Sequence, residues 1–148
     1  MHPVPPVRRP VMVPVVILGA FAVVVGSWLY RNRERMVPVA PRVLLSLGGG
    51  LPPNLLYETH GHGLGGIVVV GDVAALEVID QRYVIGTTDS GEMFLLTVRP
   101  LKRDESYHDL VERFAPADTQ AWRDRCRAVG IESPTLRDPA EVARRRRP

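Results

Sequence analysis

The pattern of hydrophobic positions divides the chain into parts with different periodicities. Residues 11–30 form an unbroken apolar run, residues 66–98 contain short β-branched segments, and the part beyond residue 100 has apolar residues at helical spacing. Because side chains repeat every two residues in a strand and about every 3.6 residues in a helix, these patterns predict one long helix, then strands, then further helices. Residues 1–10, which are rich in proline, are expected to be a disordered tail.

The apolar run at residues 11–30 is predicted to be a transmembrane helix. At about 1.5 Å per residue it would span about 30 Å, the thickness of the hydrocarbon core of a bilayer. A cleaved signal peptide and a buried helix of a soluble domain are the alternatives. A signal peptide has a shorter apolar core and small residues at its cleavage site, whereas this run ends at Trp28 and Tyr30, followed by charges.

The cations that flank this run predict its orientation. Arg8 and Arg9 precede it, and more arginines follow it at Arg31, Arg33, Arg35 and Arg42. Since Lys and Arg are retained on the cytoplasmic side, we predict a single-pass protein of the cell (inner) membrane with a cytoplasmic C-terminal domain. The opposite orientation is the alternative, because an arginine pair before an apolar segment is also typical of it.

Residues 31–65 are predicted to be a basic juxtamembrane stretch and a Gly/Pro-rich linker. Glycines at 48–50, prolines at 52–53 and a second glycine cluster from residue 61 disfavour regular structure. His60 and His62 are the one arrangement that suggests a metal, and a bound zinc needs three or four ligands. We therefore predict neither a metal site nor a cofactor, and name these two histidines only as candidates.

Residues 66–100 are predicted to be a small antiparallel β domain. Four apolar segments end at turn residues, and connections of two to four residues are too short for a parallel crossover. The alternating positions expected to point inward are Leu76, Val78, Tyr83, Ile85, Phe94 and Leu96.

Residues 101–148 are predicted to be a helical region with a basic tail. One helix is expected from a cap at 104–106 to Phe114, and a second from Pro116 to a stop at Gly130. Asp138 and Pro139 start a last turn before the arginines at 144–147. The fold class predicted from the whole pattern is a single transmembrane α-helix plus a small, mainly antiparallel β domain with C-terminal helices, a membrane-anchored α+β protein.

Charge and composition exclude several functions. The sequence pI is about 9.5, but the residues after position 35 carry 14 Arg or Lys against 15 Asp or Glu, so no extended basic patch is available for nucleic acid. The chain has no nucleophile elbow and no phosphate-binding glycine motif, which predicts a protein that is not an enzyme. The arginines at 144–147 are expected either to pair with anionic lipid headgroups or to be a solvated end.

The stretch from 76 to 96, LEVIDQRYVIGTTDSGEMFLL, together with the predicted membrane helix, resembles the FliO family of flagellar biosynthesis proteins. The resemblance implies a non-enzymatic role in assembling the flagellar type III export gate, with polytopic membrane proteins as partners. The implied interaction residues are small positions on the membrane helix and an exposed strand edge, namely Gly19, Ala22, Gly26, Tyr83 and Gly86.

The sequence therefore predicts a membrane-anchored assembly or scaffold factor, which has the lipid bilayer and polytopic membrane proteins as partners and does not bind nucleic acid. The alternative is a membrane-tethered sensing or ligand-binding module, in which the β domain binds a small molecule through the loop at residues 60–66.

Overall fold

The computed structural model describes residues 35–59 and 66–146. Within these residues, eight strands form two antiparallel sheets of four strands each. The first sheet has the order β1 (Arg35–Ala40), β2 (Val43–Gly48), β3 (Leu51–Glu58) and β4 (Gly66–Val70). The second has the order β5 (Val73–Ile79), β6 (Tyr83–Thr88), β7 (Met93–Thr97) and β8 (Val111–Phe114). Two short helices follow, α1 (Thr119–Ala128) and α2 (Pro139–Arg145).

The predicted fold class is wrong. The described residues form two antiparallel sheets and two short helices, with twice the number of strands that the prediction had. Among residues 35–59 and 66–146, the helices are too short and too polar to serve as a membrane span. The segment predicted for that role, residues 11–30, lies outside the described residues.

The predicted linker is the main source of this error, since its described part contributes β1, β2 and β3. Three glycines with φ of +97°, +72° and +72° make the turn between β2 and β3 at residues 48–50. The pairing then shifts from Gly48 with Leu51 to Ser46 with Asn54. The two prolines at 52–53 fall at this irregularity, where a missing N–H interrupts the ladder least.

Both faces of the second sheet are covered. Val84 on β6 lies opposite Val78 and Leu96, and these side chains belong to the core shared with the first sheet. Ile85, the next residue, lies opposite Leu95 on the other face, where Trp122 and Cys126 of α1 complete a second cluster. The predicted inward set was therefore wrong in part, because Tyr83 and Ile85 point to the helix rather than to the first sheet.

The helix predicted to end at Phe114 is absent. Ser106 does cap a turn, accepting a hydrogen bond from the His108 amide while Asp109 closes the capping box, but only a 3-10 turn follows at Tyr107–Leu110. The chain then becomes β8, in which Val111 lies opposite Leu96 of β7. Backbone hydrogen bonds offered by the otherwise unpaired edge of β7 outweigh the helical preference of this short segment.

The helix predicted between Pro116 and Gly130 is present, and the turn predicted to start at Asp138 and Pro139 is a helix of seven residues. Pro116 opens a 3-10 turn that leads into α1, and Gly130, at a φ of +87°, donates its N–H to the carbonyl of Arg127 at the helix end. Asp138 caps α2 by accepting a hydrogen bond from the amide of Ala140. Between the helices, the chain returns to β5, where Arg137 and Leu76 exchange two backbone hydrogen bonds.

Candidate interaction surface

The outer edge of β4 exposes apolar side chains. Among the described strands, β4 pairs only with β3. Ile67 is 40% exposed and Val68 is 45% exposed, whereas Val69 and Val70 are buried at 1% and 0%. Two consecutive residues of a strand point to opposite faces, so this half of β4 extends beyond the core on both faces.

The register of β3 and β4 explains why exposure stops at Val69. Leu56 lies opposite Val68 and Leu55 lies opposite Val70, so Val69 is an extra residue in a bulge. Its carbonyl oxygen accepts a hydrogen bond of 2.7 Å from the guanidinium of Arg113, which also pairs with Glu92 at 2.5 Å. Arg113 therefore closes the edge at Val69 and leaves residues 66–68 as its open part, which we call the open edge.

The open edge has no charged side chain. Its sequence is Gly-Ile-Val, and a Cβ on Gly66 would collide with the backbone carbonyl of Tyr57, so this glycine permits the close approach of β4 to β3. Edge strands are commonly protected by lysine, proline or an inward charge. Residues 66–68 carry none of these, and we therefore treat them as a candidate surface for pairing with another strand.

A cleft of about 320 Å³ lies beside α1. Its lining comes from α1 and from the segment that follows it, namely Trp122, Arg123, Arg127, Glu132, Ser133, Pro134 and Leu136. Two of the lining side chains already have polar partners. The indole N–H of Trp122 donates to the carbonyl of Phe94, and Arg127 pairs with Asp124 at 2.9 Å. This arrangement stabilises α1 on the sheet.

The carboxylate of Glu105 is held by two groups. Arg99 donates two hydrogen bonds to it, at 2.6 and 2.8 Å, and the amide of Lys102 donates a third at 2.9 Å. These bonds favour the ionised form and lower the pKa of Glu105 from 4.5 to about 2, with Arg99 as the main cause. The pKa of Arg99 is raised by the same pair. The arrangement anchors the loop between β7 and β8.

The thiol of Cys126 in α1 is buried against the second sheet, and desolvation raises its pKa. Since the thiolate is the reactive form of cysteine, this environment disfavours nucleophilic chemistry. In residues 35–59 and 66–146, no three His, Cys, Asp or Glu side chains gather where they could hold a metal ion. His60 and His62 lie outside those residues.

The interaction residues suggested by the sequence fall in two places. Gly19, Ala22 and Gly26 lie outside the described residues. Tyr83 and Gly86 lie in β6, which is paired on both sides, so the strand edge predicted there is not exposed. A role of Tyr83 and Gly86 in an interaction stays a prediction, but an exposed strand edge does not support it.

Sequence reasoning missed Ile67 and Val68 as surface residues. The run of apolar residues in β4 resembles that of a buried strand. The only available signal was that residues 66–70 contain no charged side chain. A buried central strand and an exposed edge strand can both have such a sequence, so the signal is informative only once the position of β4 in the sheet is known.

No family model matches the chain, and no curated protein or solved structure matches it. The resemblance to FliO proteins thus stays a prediction. The described residues and these comparisons give no support to the predicted transmembrane, flagellar and export descriptions, which were drawn from the sequence alone. Localisation and partners also stay predictions.

Proposed function

We propose that this protein is a non-enzymatic assembly factor that pairs with a second copy of the chain through the open edge. The observation that carries the proposal is the exposure of Ile67 and Val68, at 40% and 45%, on a strand end without charge. Pairing would satisfy backbone groups of β4 and cover apolar surface on both faces.

A second copy is favoured because β4 is compatible with itself. Antiparallel pairing about a two-fold axis places residues 66–68 of one copy against the same residues of the other, so small and β-branched side chains meet without like charges. Arg113 blocks the strand at Val69, which limits the pairing to a short stretch. Because a two-fold contact uses the same surface of both copies, no further copy can add to it, and the expected assembly is a dimer.

The use of the polar groups supports a role that does not involve catalysis. Glu105 is saturated by hydrogen bonds from Arg99 and Lys102, and Cys126 is buried with a raised pKa. Within the described residues, every buried side-chain nitrogen and oxygen has a hydrogen-bond partner. The hydrogen bonds of these groups contribute to the stability of the fold.

Cysteine crosslinking of the full chain tests the proposal. Cys126 is first replaced by Ser, and Ile67→Cys and Val68→Cys are made separately, then mixed. Because opposed residues of antiparallel strands have Cα atoms about 4.5–5.5 Å apart, copper-phenanthroline oxidation should give a disulfide-linked dimer in at least one of the three samples. The readout is a non-reducing gel.

Leu51→Cys is the matched control, because Leu51 is 67% exposed, more than either test residue, and lies outside the open edge. Its dimer fraction should stay at the level of random collision. Equal crosslinking at Leu51, or none at 67, 68 and their mixture, would refute pairing with a second copy and leave a strand of a different protein as the occupant of this edge.

A further inference from the structure

A second surface feature is a cleft of about 200 Å³ between β5 and α2. We call it the arginine cleft. Its lining residues are Leu76, Glu77, Val78, Arg137, Val142, Arg145 and Arg146. Three arginines thus line one cavity, although Arg137 lies in a different segment from the other two.

Both sides of the arginine cleft are fixed in the fold. Arg137 and Leu76 exchange backbone hydrogen bonds of 2.9 and 3.0 Å, which hold Arg137 against β5. Val142 is 8% exposed and belongs to the core shared by the two sheets, so it anchors α2 beneath Arg145 and Arg146. The spacing of the arginines is therefore set by tertiary contacts.

The cleft has more positive charge than its carboxylates neutralise. Arg145 pairs with Glu141 at 2.7 Å, and the carboxylate of Glu77 accepts a hydrogen bond from the amide of Thr135. Arg137 and Arg146 have no ion-pair partner among the side chains that the structure describes. Two of the three arginines that line the cleft therefore have no described carboxylate within ion-pair distance.

The distribution of charge along the chain reinforces this local excess. Residues 119–147 contain eight arginines and four carboxylates, whereas residues 35–118 contain seven Arg or Lys and eleven Asp or Glu. The C-terminal segment that includes α1 and α2 is thus positive, and the strands before it are negative. Such a separation attracts anions towards the positive segment before any contact forms.

We propose that the arginine cleft binds a phosphate group, carried either by a soluble phosphorylated molecule or by a phospholipid headgroup. Guanidinium groups donate paired hydrogen bonds in a planar fork that matches two phosphate oxygens, and Arg137 and Arg146 approach from separate elements. The amide that engages Glu77 reduces the repulsion that its carboxylate exerts on an anion. This proposal is independent of pairing at the open edge.

Inorganic phosphate is the first probe. Thermal unfolding of the full chain is followed with phosphate or chloride at the same ionic strength, and phosphate should raise the melting temperature in a saturable way. The double variant Arg137→Gln, Arg146→Gln should weaken apparent affinity at least about tenfold, since each change removes a charge-assisted hydrogen bond. Arg137→Lys, which keeps the charge and loses the fork, should give a smaller loss.

Arg103→Gln is the matched control, because Arg103 is exposed and does not line the cleft. It should respond to phosphate like the parent chain. Circular dichroism in chloride checks that each variant is folded, and a variant that loses its spectrum is replaced by the single Arg146→Gln change at the exposed end of α2.

Vesicles distinguish the two sources of phosphate. The full chain and the double variant are sedimented with phosphatidylcholine vesicles, with and without phosphatidic acid. Any contribution of residues 11–30 is common to both proteins, so the difference between them reports on the cleft. A difference that needs phosphatidic acid identifies a headgroup, whereas a response to inorganic phosphate alone identifies a soluble ligand. No response in either assay, or equal losses in the double variant and Arg103→Gln, would overturn the proposal.

Discussion

The aromatic ring of Phe94 lies against Gly86 on the neighbouring strand, so that a Cβ built on Gly86 would be 2.6 Å from Cζ of the ring. The two residues are directly opposite in the pairing of β6 and β7. The same Cβ would also collide with the carbonyl oxygen of Ala75 on β5. Gly86 therefore leaves the space in which Phe94 fills the core between the sheets.

We expect Gly86→Ala to lower the free energy of unfolding by about 3 kcal/mol, the upper end for an overpacked core, because neither the ring nor the β5 backbone can move freely. Chemical denaturation measures the change. Gly71→Ala is the control, since its Cβ would lie 3.5 Å from the side chain of Asn54, an ordinary contact, and should cost about 0.5 kcal/mol or less. Similar losses in the two variants would contradict this account of Gly86.

The second prediction concerns Trp122, which ties α1 to β7. Its indole N–H donates a hydrogen bond of 3.2 Å to the carbonyl of Phe94. Trp122→Phe should cost about 1–2 kcal/mol through the lost hydrogen bond, and Trp122→Ala about 3–5 kcal/mol through the cavity as well. The exposed neighbour Arg123→Ala should change stability by less than about 0.5 kcal/mol. Any other order of the three melting temperatures would argue against this packing.

The third prediction is an acid dependence that arises from Glu105. Its pKa falls from 4.5 to about 2 in the folded protein, so the folded state binds fewer protons than the unfolded state between these values. The stabilisation from this group is complete above about pH 4.5 and is lost as the pH falls towards 2. Glu105→Gln should therefore be less stable than the parent chain at pH 7 and should lose less stability on acidification.

Urea denaturation at several pH values measures this dependence. The exposed Glu132→Gln is the matched control and should keep the parent's acid dependence. The role assigned to Glu105 would be wrong if both variants followed the same curve between pH 4.5 and 2.

The fourth prediction concerns the accessibility of the thiol in α1. Cys126 is 0% exposed and its pKa is raised by desolvation, so it should react with a disulfide reagent at pH 8 at least about a hundredfold more slowly than an unfolded thiol. Absorbance of the released thiolate gives the rate. Adding Ala121→Cys at an exposed position of the same helix should introduce one fast thiol. Rapid labelling of the native chain at Cys126 would show that this face of α1 is not packed against the second sheet.

Local features of the sequence predicted the turns and helix ends correctly because short-range chemistry decides them. One of the apolar segments predicted within residues 66–100 ends at Asp80 and Gln81, which take φ of +48° and +56° in the turn between β5 and β6. Gly130 ends α1, and Asp138 caps α2. In each case the residue acts on backbone groups within a few positions of itself, so no knowledge of the remaining fold is needed.

The prediction of a helix up to Phe114 was wrong because long-range contacts decide the structure of this segment. Tyr107, Leu110 and Val111 have a spacing that a helix and a 3-10 turn followed by a strand both satisfy. The choice depends on β7, whose edge supplies backbone partners to β8. Similarly, glycine and proline at residues 48–53 indicate a break in structure, but only pairing with β2 turns the following residues into β3.

The sequence by itself determined where strands of residues 66–98 begin and turn, and where the last helices are capped, because those choices depend on neighbouring residues. Only the tertiary structure decided which apolar residues are covered. Val84 and Ile85 are both buried because β6 has a sheet on one face and α1 on the other, whereas Ile67 and Val68 stay exposed because β4 ends a sheet. The same kind of side chain is a core residue or a contact surface according to its neighbours across the fold, and those neighbours are distant in the chain.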